Sequence, residues 1–214
     1  MIKAVIFDMD GLMVDSELFQ SMAFKKILKR YGIEAKEEIV QVIGIREVEN
    51  WEIIKKKYGL KEDTAKLMKE RGKIYIKILK EKAVAMPGLY KLIDSLKKSG
   101  YKIALASSSV YEHVQIVLKK LKLQKDFNII ISGGDVNRGK PDPEVYLITA
   151  KKLSVKPIDC LVLEDAYTGV IAAKNAKMKC IAVPNKYTKN QDFSKADLVV
   201  KSLEEITIDT IKNL

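Results

Sequence analysis

Cysteine and histidine are nearly absent from this chain, and that narrows its chemistry first. Cys160 and Cys180 are the two cysteines and His113 the one histidine. The cysteines lack metal-site spacing and sit beside apolar runs, so buried free thiols are expected rather than a disulfide. Arginine is scarce too: among 39 basic residues only Arg30, Arg46, Arg71 and Arg138 are arginine. The net charge of +11 is therefore nearly all lysine, scattered along helical segments. No basic run is interleaved with aromatics, which argues against nucleic acid as a partner and for a solvated lysine surface that draws in small anions. No apolar stretch approaches the ~20 residues needed to span a bilayer, and there are no internal repeats. The first residues run straight into a strand-like segment instead of a cleaved signal peptide, so a cytoplasmic protein with no membrane partner is expected. With 214 residues, 47 % hydrophobic, the chain can build one large core, or one domain with a smaller insertion.

What is present alternates. Strand-like and helix-like segments follow one another, with one interruption after the first strand. Residues 15–86 carry several helix signals and no strand pattern. Tyr31-Gly32, Tyr58-Gly59 and Ser99-Gly100 each follow basic turns, as at helix ends, where cations lie near the carboxyl end and glycine lies just beyond. Ile27, Leu28 and Tyr31 fall at helical spacing, as do Trp51, Ile54 and Tyr58, and 62–82 reads as a longer helix. The expectation is a lid-like bundle of four helices over 15–86, inserted after strand one into a core made of 1–14 and 87–214. From Pro87-Gly88 onward the spacing predicts helices at 88–99, 110–121, from about 143, 168–177 and 203–212. Between them it predicts strands at 102–107, 128–132, 160–164, 180–183 and 197–200. Such alternation predicts an α/β protein with a doubly wound, mainly parallel, Rossmann-like sheet.

Four apolar runs each end on polar groups suited to phosphate or metal. Residues 2–7 end on Asp8-Met9-Asp10-Gly11, and 103–106 end on Ser107-Ser108-Ser109. Residues 127–131 lead through a loop to Lys140-Pro141-Asp142-Pro143, and 161–163 end on Glu164-Asp165. If these runs are neighbouring parallel strands, the groups meet at one sheet edge, where open α/β sheets place their ligand sites. Asp8 and Asp10, two apart at a strand end, repel unless they share a cation. Carboxylates without histidine or cysteine suit a hard cation bound through oxygen, with Mg²⁺ the default.

Asp8-Met9-Asp10-Gly11, Ser107, Lys140 in Gly-Lys-Pro-Asp-Pro and Glu164-Asp165 together resemble the four motifs of the haloacid dehalogenase superfamily. The chain is most similar to its branch of sugar-phosphate phosphatases and β-phosphoglucomutases, and the resemblance covers essentially the whole length. It implies that Asp8 is the nucleophile and forms an aspartyl-phosphate, while Asp10 protonates the leaving oxygen and then takes a proton from water. It further implies that Asp8, the Asp10 carbonyl, Asp165 and Glu164 hold Mg²⁺, and that Ser107, the Ser108 backbone and Lys140 hold the phosphoryl oxygens. The second aspartate at Asp10 points to phosphate esters, because branches acting on other bonds differ there.

Two other motifs fail on inspection. Residues 134–140 nearly form a nucleotide phosphate loop, but Pro141 stands where a hydroxyl should meet Mg²⁺. Ser107 with His113 lacks the turn of a serine hydrolase, and His113 is expected on a helix surface. For substrate, the insert would close over the site, with Gln20, Arg46 and Arg71 as its candidate contacts. Related mutases carry a histidine where this chain has Gln20, which cannot titrate near neutrality. The expectation is a monomeric phosphatase, a phosphoric monoester hydrolase, acting on a small phosphorylated sugar or related metabolite. The alternatives are a β-phosphoglucomutase and a basic binding protein that keeps only the fold.

Overall fold

Six short strands carry the architecture of the computed structural model, which describes residues 1–214: β1 (Ala4–Phe7), β2 (Lys102–Ala106), β3 (Ile129–Ile131), β4 (Cys160–Glu164), β5 (Lys179–Ala182) and β6 (Leu198–Val199). All pair in parallel, in the order β3-β2-β1-β4-β5-β6. Both faces of the sheet are covered, which is why β1 and β4 read as unbroken apolar runs. Alternate residues serve opposite cores. Val5, Phe7, Leu105, Leu161 and Leu163 join one, with α4 (Leu89–Lys98) and α5 (Tyr111–Leu121). Ala4, Ile6, Ala104, Val162 and both cysteines join the other, with α6 (Glu144–Leu153) and α7 (Tyr167–Asn175). Cys160 and Cys180 are buried and unbonded to each other, as their apolar surroundings suggest.

The chain order reverses across β1: β2 and β3 lie on one side of it, and β4 to β6 on the other. Such a switch point opens a crevice at the carboxyl ends of the strands. Phe7 is in register with Leu105 on β2 and with Leu163 on β4. The residues that follow therefore emerge at one level: Asp8, Ala106-Ser107 and Glu164-Asp165.

The insert contains three α-helices rather than the expected four: α1 (Glu17–Arg30), α2 (Glu47–Tyr58) and α3 (Thr64–Lys82). Residues 33–46 are turns and extended backbone. Ile39, Val40, Val42 and Ile43 are β-branched and lack a 3.6-residue repeat, so this stretch has little helical drive. Side chains from neighbouring helices fix it instead. Ser21 Oγ accepts from Val40 N–H at 3.1 Å, and Asn50 Oδ1 accepts from Val42 N–H at 2.7 Å. Phe24, Ile27, Leu28, Trp51, Ile54 and Leu67 give the three helices a core of their own.

Where the chain enters and leaves the insert the two crossings run side by side. Val14 bridges Ala85, and Met86 N–H donates to the Met13 carbonyl at 2.9 Å. The expected closing helix over 203–212 is broken in two. A 3-10 turn (Leu203–Glu205) precedes α8 (Ile208–Lys212), because Thr207 caps a fresh helix start and accepts from Thr210 N–H at 3.1 Å. No helix is long and apolar enough to cross a membrane.

Candidate active site

At the switch point the four strand-end motifs come together. Lys140 Nζ donates to Asp8 Oδ1 and to Glu164 Oε1, each at 2.6 Å, with its side chain only 1 % exposed. Its weaker third contact is the Ala106 carbonyl, at 3.4 Å. Carboxylate oxygens of Asp8, Glu164 and Asp165 all lie within 4.8 Å of one another. Three buried carboxylates thus face a single ammonium. Burial pushes the Asp8 carboxyl up to about 8 even with Lys140 alongside, and burial with Glu164 and Asp8 pushes Asp165 well above the carboxylate range. Burial works against charge on Lys140 as well, yet Asp8 and Glu164 hold its amine above the ordinary lysine value. The cluster is short of positive charge, and its donors are all hard oxygens. That is the chemistry of a divalent-cation site of the Mg²⁺ kind.

Glu164 is the most tightly held of the three. Its Oε1 accepts from Lys140 and from Tyr146 Oη at 2.7 Å, and its Oε2 accepts from the backbone N–H of Asp165 and Ala166. A Cβ on Gly169 would overlap its carboxyl group, so the first turn of α7 is bare where this side chain folds back. Asp165 is steered by Asn185, whose Nδ2 donates to Asp165 Oδ2 at 2.7 Å and to the Gly11 carbonyl at 3.3 Å. Gly11 has φ +83°, and a Cβ there would collide with Asp165. Both the left-handed backbone and the close approach call for glycine at this turn.

Asp10 sits apart from that cluster and is bound only by hydroxyls. Ser16 Oγ donates to its Oδ1 at 2.6 Å, Tyr75 Oη to the same oxygen at 3.1 Å, and Ser109 Oγ to Oδ2 at 2.7 Å. Ser107 is fully buried, and its Oγ accepts from Ser109 N–H at 3.0 Å. Ser108 turns its side chain to the insert and donates to the Gly44 carbonyl at 2.9 Å. The backbone N–H groups of Met9, Asp10 and Ser108 donate to no acceptor in the protein, which leaves three donors at the strand ends for an anion.

Of the three insert candidates, only Gln20 borders the chamber between Asp8, Asp10 and the helices. Arg71 does not face it: 1 % exposed, its guanidinium lies 3.0 Å from Glu47, donates to Gln20 Oε1 at 2.9 Å, and stacks 4.1 Å from the Phe24 ring centroid. Arg46 caps α2 and turns away, donating to Glu49 at 2.7 and 2.9 Å and to the Val136 carbonyl at 3.2 Å. His113 is buried, contrary to the surface position expected. It packs edge-on against Tyr75, 4.9 Å between ring centroids, and burial with Arg71 nearby pushes its imidazole down to about 3.

Four contributors escaped sequence reasoning. Asn185 follows β5, so it obeys the strand-end rule that found the other motifs. Tyr75 lies four residues after Arg71, on the same face of α3. Glu17, 1 % exposed, is pushed up to about 8 by burial and then by Asp10. Tyr146 carried no signal in its helical apolar pattern.

Comparison with known proteins agrees with this geometry. A family profile described as haloacid dehalogenase-like hydrolase matches residues 5–183. The chain is 38 % identical over 210 residues to YhcW of Bacillus subtilis, covering 97 % of this chain and 95 % of that one. It is 33 % identical to a phosphorylated carbohydrates phosphatase of Thermotoga maritima over 184 residues, 84 % of this chain and 83 % of that protein. A solved β-phosphoglucomutase of Clostridium difficile superposes with a TM-score of 0.88 at 29 % identity, covering 100 % of this chain and 96 % of that one.

Proposed function

The chain belongs to the haloacid dehalogenase-like hydrolases, and from that premise we propose that it is a Mg²⁺-dependent phosphatase acting on a small phosphorylated sugar or related metabolite. The observation that carries the reading is the buried convergence of Asp8, Lys140, Glu164 and Asp165 beside free backbone N–H donors. In this reading residues 15–86 form the cap and the remainder the catalytic core.

Asp8 attacks phosphorus through a carboxylate oxygen, and the bond to the leaving alcohol breaks as Asp10 donates a proton to that oxygen. Water then attacks the aspartyl-phosphate, Asp10 recovers a proton from it, and Asp8 leaves as a free carboxylate. Ser16, Tyr75 and Ser109 aim the Asp10 carboxyl group. Ser107, Lys140 and the N–H groups of Met9, Asp10 and Ser108 hold the phosphoryl oxygens as charge shifts among them. Asp8, Asp165 and the Asp10 carbonyl, with Glu164 beside them, would hold Mg²⁺, which would supply the positive charge that offsets repulsion between a carboxylate and a phosphate dianion. Lys140 is fixed in turn by Glu164, which Tyr146 and the backbone N–H groups of Asp165 and Ala166 orient.

A β-phosphoglucomutase would hand the phosphoryl group to a sugar instead of water. Gln20, tied to Arg71, offers no titrating group at the place where such mutases carry histidine, and this favours water. Two measurements test the reading. Mg²⁺-dependent phosphate release from an aryl phosphate is expected, and Asp8→Asn is expected to lower it by at least about 1,000-fold with the circular dichroism unchanged. Full activity in that variant would overturn the mechanism. With β-glucose 1-phosphate and a trace of glucose 1,6-bisphosphate, rapid glucose 6-phosphate formation without free phosphate would establish the mutase instead.

A further inference from the structure

The chamber between the strand ends and the insert measures about 20 Å³, and four of its bordering residues are acidic: Asp8, Asp10, Glu17 and Glu47. Two of these, Glu17 and Glu47, come from the helices of the insert. The Glu47 side chain is 8 % exposed; its Oε2 meets Arg71, while its Oε1 is buried with no hydrogen-bond partner. Glu17 accepts on Oε2 from Gln41 Nε2 at 3.0 Å. A buried carboxylate oxygen without a donor is costly, and its presence at a binding chamber points to a donor supplied by the ligand.

The cations nearby are all engaged elsewhere. Arg71 does not border the chamber: Glu47 and Gln20 hold its two Nη atoms, and its buried Nε has no partner. Arg46 is held by Glu49 and the Val136 carbonyl, and Lys140 by Asp8 and Glu164. His113 borders the chamber, and burial keeps its imidazole uncharged at neutral pH. Beyond the transferred phosphate, the chamber thus offers acceptors and negative charge, with no free cation for a second anionic group.

We infer that Glu47, with Glu17 beside it, determines specificity: both accept hydrogen bonds from hydroxyls of an uncharged leaving group, and the Glu47 carboxylate excludes substrates that carry a second phosphate. This deepens the phosphatase reading and rests on it. A hydroxyl placed at Glu47 Oε1 satisfies the orphan oxygen, whereas a phosphate there sets like charges together in a water-poor site. Gln in place of Glu47 keeps the shape and removes the charge.

Binding separates this inference from the reading beneath it, because it requires no turnover. Calorimetry on Asp8→Asn with Mg²⁺ would compare three pairs differing by one phosphate: glucose 1-phosphate and 1,6-bisphosphate, fructose 1-phosphate and 1,6-bisphosphate, ribulose 5-phosphate and 1,5-bisphosphate. At least one monophosphate is expected to bind, and to do so about 30-fold or more tighter than its bisphosphate. Adding Glu47→Gln is expected to narrow that ratio by about fivefold or more, with the bisphosphate gaining. Equal or tighter bisphosphate binding overturns the inference, as does no binding by any monophosphate or an unchanged ratio after Glu47→Gln. Failure of the unmodified protein to hydrolyse an aryl phosphate would count against the phosphatase reading separately.

Discussion

Single atoms decide much at the carboxyl ends of β1 and β4. Asp10 is aimed by three hydroxyls, of which Tyr75 Oη alone comes from the long helix of the insert. Tyr75→Phe keeps the ring and its packing and removes one donor. The expected result is a kcat lower by about tenfold with KM little changed, read from steady-state kinetics on an aryl phosphate. Gly169 gives a sharper contrast. Replacing a helical glycine by alanine ordinarily stabilises by up to about 1 kcal/mol, but here the added methyl meets the Glu164 carboxyl group that positions Lys140. Gly169→Ala is expected to lower kcat/KM by about 100-fold or more through displaced catalytic geometry, and a variant with normal kinetics would show that Glu164 has room to move.

At the scale of the element, α3 joins the insert to the core. Its Leu67 belongs to the insert's own apolar cluster, and its Tyr75 and Leu79 belong to the main one. Arg71 between them is a buried ion-pair partner and not a surface cation. Arg71→Leu would strand the Glu47 carboxylate, with an expected loss of about 3–5 kcal/mol measurable by urea unfolding. Across from α3, His113 on α5 titrates near 6.5 when unfolded but only near 3 when folded. The unfolded chain therefore takes up its proton first. The resulting stability penalty is absent above pH 6.5 and grows as pH falls toward 3. His113→Gln is expected to flatten the fall in unfolding free energy between pH 6.5 and 4.5, an effect of up to about 2.5 kcal/mol at the lower pH. Sequence periodicity found α3, because its apolar positions recur at helical spacing. It could not find the burial of Arg71 and His113, since a charged or polar residue on a helix reads as exposed until its partner from another element is known.

For the molecule as a whole, the sheet and its helices were legible because β1, β2 and β4 are apolar on both faces and end abruptly in polar groups. The convergence of Asp8, Ser107, Lys140 and Glu164-Asp165 followed from parallel pairing alone. The insert was less legible: residues 33–46 are held by side chains such as Ser21 of α1 and Asn50 of α2, and local pattern carries no record of that. Binding of a divalent ion to the acidic cluster should couple to stability of the whole fold. At 100 times its dissociation constant Mg²⁺ is expected to add about 2.7 kcal/mol, seen as a higher melting temperature that chelator reverses.

The chamber of about 20 Å³ has room for roughly one water molecule and none for a sugar. Ser108 Oγ on the Gly44 carbonyl and Arg46 on the Val136 carbonyl are among the bonds that latch it. Turnover is therefore expected to require that these latches open and close, with the paired ribbon at Val14 and Ala85 as the hinge. Breathing of the shell is then expected to limit throughput alongside bond making, so a viscous medium should slow a good substrate more than a sluggish one.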